Sequence, residues 1–269
     1  MEIGRRDWYN TMVKEIDCPM EGMDMKTPVK YGWPGLVTLL CGMMGLYLRR
    51  QLYLTAVDEK NLLLRHTPLE LGLLVLSAGF LLFLMLIIRK TSDCARYEDH
   101  YRSGILSALG HWALAAGIWY TVRSGGLPAG GYLGNAWYWL GQAAPVCLLL
   151  AGGARLLGKR PFFLLHVVLC LFLLVHIVGN YQLWSSNPQL QDHLFSLLSI
   201  ADLALLAYYT AAFETDRGDC RMVRLTGLAG VFLCLTELGR TSQPLLYAGG
   251  ALWALTILCS PEPVVREME

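Results

Sequence analysis

The chain has 269 residues, is 55% hydrophobic and only 16% charged, and carries a net charge of +1. Soluble domains carry about a quarter charged residues, so this balance excludes an ordinary soluble globule. The near-neutral total gives nucleic acid no electrostatic footing, and no nucleic-acid partner is expected. Charges gather in short clusters separated by long apolar stretches, which is the pattern of a polytopic membrane protein.

Residues 1–31 form a polar N-terminal arm with no apolar run before a small-residue cleavage site, so no signal peptide is expected. Within it Trp8, Met12 and Ile16 recur at helical spacing beside Arg5, Arg6 and Lys14. That spacing suits an amphipathic helix lying on a membrane surface, and a solvated tail is the equal alternative. Cys18, Met20, Met23 and Met25 resemble a soft-ligand set. Methionine is common in flexible apolar segments, and no metal site is expected.

Eight candidate spans follow: Gly32–Leu48, Leu69–Ile88, Ser103–Val122, Tyr132–Ala154, Phe162–Asn180, His193–Phe213, Arg224–Gly239 and Gln243–Cys259. Most approach the roughly 20 apolar residues that a helix needs to cross a bilayer. The seventh is the least secure, and only Arg240–Ser242 separates it from the eighth. Seven spans, with the first failing to cross, is the alternative count. Residues 32–259 are thus one transmembrane helical domain, and residues 260–269 a short tail. The expected fold class is all-α, an integral membrane bundle of about eight transmembrane helices.

Loop charges orient it. Sixteen of the 22 Lys and Arg fall in the arm, the even-numbered connections and the tail. The positive-inside rule then puts both termini in the cytoplasm, in a plasma membrane of bacterial type. The first outer loop, 49–66, departs from this rule, with Arg49, Arg50, Lys60 and Arg65. None of the eight cysteines lies in a predicted outer loop, so no disulfide framework is expected. Trp119, Tyr120, Trp137, Tyr138, Trp139 and Trp184 mark the outer interface, where aromatic belts collect.

Polar residues inside spans are costly and mark either packing or function. Asp202 lies nine residues into the sixth span, about 13 Å deep at 1.5 Å per residue, with Ser199 on its face. It is a candidate proton or cation site, or a packing residue bonded to a neighbouring helix. His176 and Asn180 share a face at i, i+4. His111 and His166 are the one histidine pair able to meet at matching depth. Bis-histidine haem and a bound quinone are therefore the cofactor alternatives to the expected absence of any cofactor. Gln142, near Pro145, interrupts the fourth span. Glu237 and Arg240 suit a local ion pair. Nucleotide loops, the HExxH zinc motif and the GxSxG elbow are absent.

Eight spans, together with the Glu237-Leu238-Gly239-Arg240 string before the last helix, resemble the quinol-oxidising anchor subunits of molybdopterin reductases. The likeness covers a few residues, and no function is carried over from it. Three functions fit the sequence. The first is an accessory or scaffold membrane subunit, with a protein partner or a homo-oligomer in the lipid bilayer. The second is a small-solute or cation transporter with Asp202 as its titrating group. The third is a membrane redox or lipid enzyme. No catalytic residue stands out.

Overall fold

The computed structural model describes residues 32–55, 67–89, 104–125, 132–185 and 193–259. The arm and tail readings, and most of the first outer loop, lie outside these residues. The described residues form eight α-helices: α1 Gly32–Thr55, α2 Pro68–Ile88, α3 Ile105–Arg123, α4 Tyr132–Leu156, α5 Leu164–Trp184, α6 Leu194–Glu214, α7 Cys220–Glu237 and α8 Pro244–Leu258. They contain no strand. Four helices, α2, α3, α5 and α6, are long and apolar enough to cross a membrane, and α8 is a shorter apolar helix.

Local chemistry sets the helix ends. Pro68 opens α2 behind an N-cap at Thr67, whose Oγ1 accepts from the Glu70 N–H at 3.3 Å. Asp219 caps α7, accepting from the N–H groups of Arg221 at 2.8 Å and Met222 at 3.4 Å. That cap starts α7 four residues before the expected Arg224. Asp216, in the left-handed region at φ 56°, turns the chain out of α6. At its far end α1 runs seven residues past the expected Leu48. Arg49 and Arg50 are therefore helical, not loop charges, because buried Arg49 finds a carboxylate partner on α7.

Six helices close a ring. Each of α3 to α8 packs on the next in the chain, and α8 returns to pack on α3. The last contact is the closest approach. A Cβ on Gly117 would lie 2.4 Å from the Leu245 carbonyl oxygen, and one on Gly249 would lie 2.6 Å from that of Ala113. Glycine there lets the two backbones meet. Pro145 sits buried within an unbroken α4. Outside the ring, α1 packs on α7, and α2 packs on α1 and α7.

The core fills the ring. Leu114, Leu169, Phe172, Leu173, Leu203 and Leu246 have no exposed surface, and they pack as one apolar cluster. The outward faces are apolar too. Leu71, Leu74, Leu81, Leu82 and Met85 of α2 are each more than half exposed. Apolar outside as well as inside is what a helix bundle surrounded by lipid requires.

Candidate functional site

The apolar middle of the ring separates two buried polar centres. The first lies where α3, α5 and α8 carry His111, His166 and Trp253, and where α4 and α6 end on Arg155 and Glu214. His111 Nδ1 sits 2.7 Å from the Ser107 carbonyl oxygen, and His111 Nε2 sits 3.2 Å from His166 Nε2. On the other side of its ring, His166 Nδ1 lies 3.0 Å from Glu214 Oε2 and 2.9 Å from Oε1. Arg155 reaches Glu214 Oε1 at 3.6 Å and donates to Ser107 Oγ at 3.3 Å. Trp253 stacks on His166 at 6.3 Å and meets His111 edge-on at 5.9 Å. His111, His166 and Trp253 have no exposed surface, and Arg155 has 1%.

This arrangement brings together the two histidines singled out by depth. Their separation bears on haem. The two axial nitrogens of a bis-histidine haem lie on opposite sides of the iron, each about 2 Å from it, and so about 4 Å apart. At 3.2 Å the rings hydrogen-bond to each other, and Trp253 covers His166. Among the described residues no group of three or more His, Cys, Asp or Glu is placed to hold a metal ion.

The second centre lies at the opposite end. The Trp137 indole donates to His176 Nδ1 at 3.0 Å, and His176 Nε2 lies 3.1 Å from Gln243 Oε1. An indole N–H can only donate, so His176 Nδ1 accepts and its Nε2 carries the hydrogen. Phe172 stacks on the same ring at 5.7 Å. Gln243 also lines a pocket of about 240 Å³ with Trp184, His193, Ser196, Glu237, Arg240, Thr241, Ser242 and Tyr247. The pocket mixes charge of both signs with neutral hydrogen-bonding groups. Trp184 and His193 stack at 4.2 Å to form one wall, and Ser196 is hydrogen-bonded to the Tyr247 hydroxyl. Glu237 is held by Arg49 of α1 at 2.8 Å. Arg240 donates to the Tyr53 hydroxyl and lies over that ring, 4.2 Å from its centroid.

The remaining sequence candidates are dispersed. Asp202 sits against Gly230 of α7, where a Cβ would lie 2.8 Å from its Oδ2; that oxygen is buried and has no hydrogen-bond partner. Neither His111 nor Gln142 hydrogen-bonds to Asp202. Asn180 is buried one turn beyond His176. Gln142 is half-buried on α4, with a partnerless amide nitrogen.

Sequence reasoning passed over Arg155, Glu214, Ser107, Trp253, Trp137 and Gln243. Arg155 and Glu214 close their helices beside loops and read as topology charges. The available signal was a base and an acid at the same end of two spans in one bundle.

No family model, curated protein or solved structure matches the chain. Function rests on the geometry.

Proposed function

We propose that the chain is a multi-pass integral membrane protein of about eight spans, and that it transports a small polar solute. The pocket lined by Glu237, Arg240, Gln243, His193 and Trp184 carries this reading. Several polar groups converging on one cavity are what fixes a small molecule. Its 240 Å³ falls below the roughly 300–1,000 Å³ of drug-sized sites, which favours a small solute. Deeper along α6 and α8, Ile200, Leu203 and Ala251 are buried. A pocket entered from one end and closed beneath by an apolar layer suits a solute held before a conformational step.

Native mass spectrometry of protein extracted gently from its own membrane tests the proposal. A small co-purifying mass that disappears in Arg240→Ala supports it. A bare chain that also fails to move any solute into liposomes overturns it. Asp202 as the titrating group is tested in the same liposomes, where Asp202→Asn should abolish a proton-coupled flux. Unchanged flux would remove Asp202 from the mechanism.

An accessory-subunit reading is favoured by one observation: Leu114, Leu169, Phe172, Leu203 and Leu246, all without exposed surface, fill the middle of the ring. A second polypeptide in the same mass spectrum would support it over transport.

The excess of Lys and Arg on the even-numbered connections supports cytoplasmic termini, with the Arg155 end inside. Cys259, free and exposed beyond α8, discriminates. Labelling from the cytoplasmic side alone supports the charge-based orientation, and labelling from outside reverses it.

A further inference from the structure

We infer that Glu214, His166 and His111 form a buried one-proton store, in which a single labile proton is held along the chain and exchanged at the Arg155 end of the ring. The argument is a count of hydrogens. A backbone carbonyl can only accept, so His111 Nδ1, 2.7 Å from the Ser107 oxygen, carries a hydrogen. The two Nε2 atoms face each other at 3.2 Å, and one of them must carry a hydrogen for that contact to be a bond. His166 Nδ1 faces both oxygens of Glu214 within 3.0 Å, and this contact needs a hydrogen too.

A carboxylate with two neutral imidazoles cannot meet all three demands. If neutral His166 carries its hydrogen on Nδ1, two Nε2 lone pairs oppose each other. If it carries the hydrogen on Nε2, a nitrogen lone pair opposes the carboxylate. One further proton satisfies every contact, and it has three places. Glu214 can be a carboxylic acid donating to His166 Nδ1, while His166 Nε2–H donates to His111. His166 can be an imidazolium donating to both neighbours. His111 can be an imidazolium donating to His166 Nε2, while His166 Nδ1–H donates to the Glu214 carboxylate.

These arrangements interconvert without movement of heavy atoms. As the proton on Glu214 passes to His166 Nδ1, the one on His166 Nε2 passes to His111 Nε2. The carboxyl becomes a carboxylate, His111 becomes an imidazolium and His166 ends neutral, so charge and protons balance. Around the chain, Arg155 of α4 sits 3.6 Å from Glu214 Oε1 and donates to Ser107 Oγ. Trp253 of α8 covers the imidazoles. Glu214 is the last residue of α6, and two positions on Asp216 pairs with Arg160 at 2.9 Å in the open. The Glu214 side chain is itself fully buried, two residues from that exposed pair, and His111 lies further inside the ring. No demand for an extra proton arises at His176, whose two partners fix it as a neutral ring.

Proton counting on the full chain in lipid nanodiscs tests this. The six histidines are labelled with nitrogen-15 and assigned by single His→Gln variants. The sample is held near pH 8, where an ordinary imidazole is neutral. The expected spectrum has one protonated and one bare Nε2 coupled across the His111–His166 bond. With it comes either a third ring N–H on the pair or an infrared carboxylic-acid band that Glu214→Gln removes. Two ring protons without that band, or no Nε2 proton, would overturn the inference. The wild-type spectra decide even if Glu214→Gln fails to fold. A lost pocket ligand at the other end would leave this count unchanged, so the two proposals fail separately.

Discussion

The two ends of the six-helix ring each bury histidine, carboxylate and arginine, yet they hold protons in different ways. At the Glu237 end the acid and the histidine are kept apart. Glu237 pairs with Arg49 across the α1–α7 contact, and His176 sits between an obligate donor, Trp137, and the oxygen of Gln243. The His176 ring hydrogen there has one position. At the Arg155 end the acid and two histidines are in series, and the hydrogens have several. Composition alone does not separate a fixed polar site from an exchanging one. The order of donors and acceptors along the contacts does.

The largest expected effect comes from breaking the fixed pair. Arg49 and Glu237 side chains are 4% and 5% exposed. Removing one partner of such a pair leaves a buried charge alone and costs about 3–5 kcal/mol. Arg49→Ala should therefore lower the unfolding midpoint strongly in a denaturant titration. Replacing both residues by apolar ones of similar size, Arg49→Met with Glu237→Leu, should recover most of the loss, since apolar replacement of a buried pair is often neutral. A single variant as stable as wild type would show that the charge is hydrated, and the two ends would then be less alike than the structure makes them.

The α3–α8 crossing gives the next effect, and it bears on both ends because these helices carry Ser107, His111 and Trp253, and Gln243 is the N-cap residue of α8. A side chain on Gly249 meets the Ala113 backbone oxygen at 2.6 Å, and backbone cannot yield as a rotamer can. Gly249→Val should cost about 1–3 kcal/mol from overpacking. Gly79, with nothing within 4 Å of its Cβ position, should accept alanine with little change. Equal losses at the two sites would count against the close crossing.

A comparable effect is expected from Trp137→Phe. The ring volume is roughly kept, but the donor to His176 Nδ1 is lost, leaving a buried acceptor unsatisfied at about 1–3 kcal/mol. The sharper readout is nitrogen-15 NMR of His176. In wild type its hydrogen should be on Nε2 alone. In Trp137→Phe the ring is free to take the other tautomer. A mixed wild-type signal would erase the contrast between the two ends.

How much of this was legible in the sequence follows from what periodicity reports. Apolar runs located the eight helices, with boundaries a few residues off where a cap or a buried charge intervened, as at Asp219 and Arg49. Depth arithmetic made His111 and His166 a candidate pair, because rise per residue is fixed in any helix. Which helices face one another was not legible. The α3–α8 contact joins helices far apart in the chain, and local spacing says nothing about ring closure. For the same reason Glu214 and Arg155 read as loop-side charges, although each sits inside against groups from other helices. Asp202 drew attention by its central depth, and its depth was all that one helix could show.

The smallest effect should come from the exposed counterpart of the buried pair. Arg160 and Asp216 side chains are 39% and 51% exposed and meet at 2.9 Å, and surface pairs of this kind contribute about 0–1 kcal/mol. Asp216 also turns the chain at φ 56°, so an arbitrary replacement would confuse charge with backbone conformation. Asp216→Asn avoids this, since asparagine adopts the left-handed region as readily as aspartate. The midpoint should move by no more than about 1 kcal/mol in low salt and by less in high salt, where exposed charges are screened. A loss approaching that of Arg49→Ala would mean that the carboxylate above Glu214 helps hold the buried chain together, and the store would then extend to the surface through Asp216.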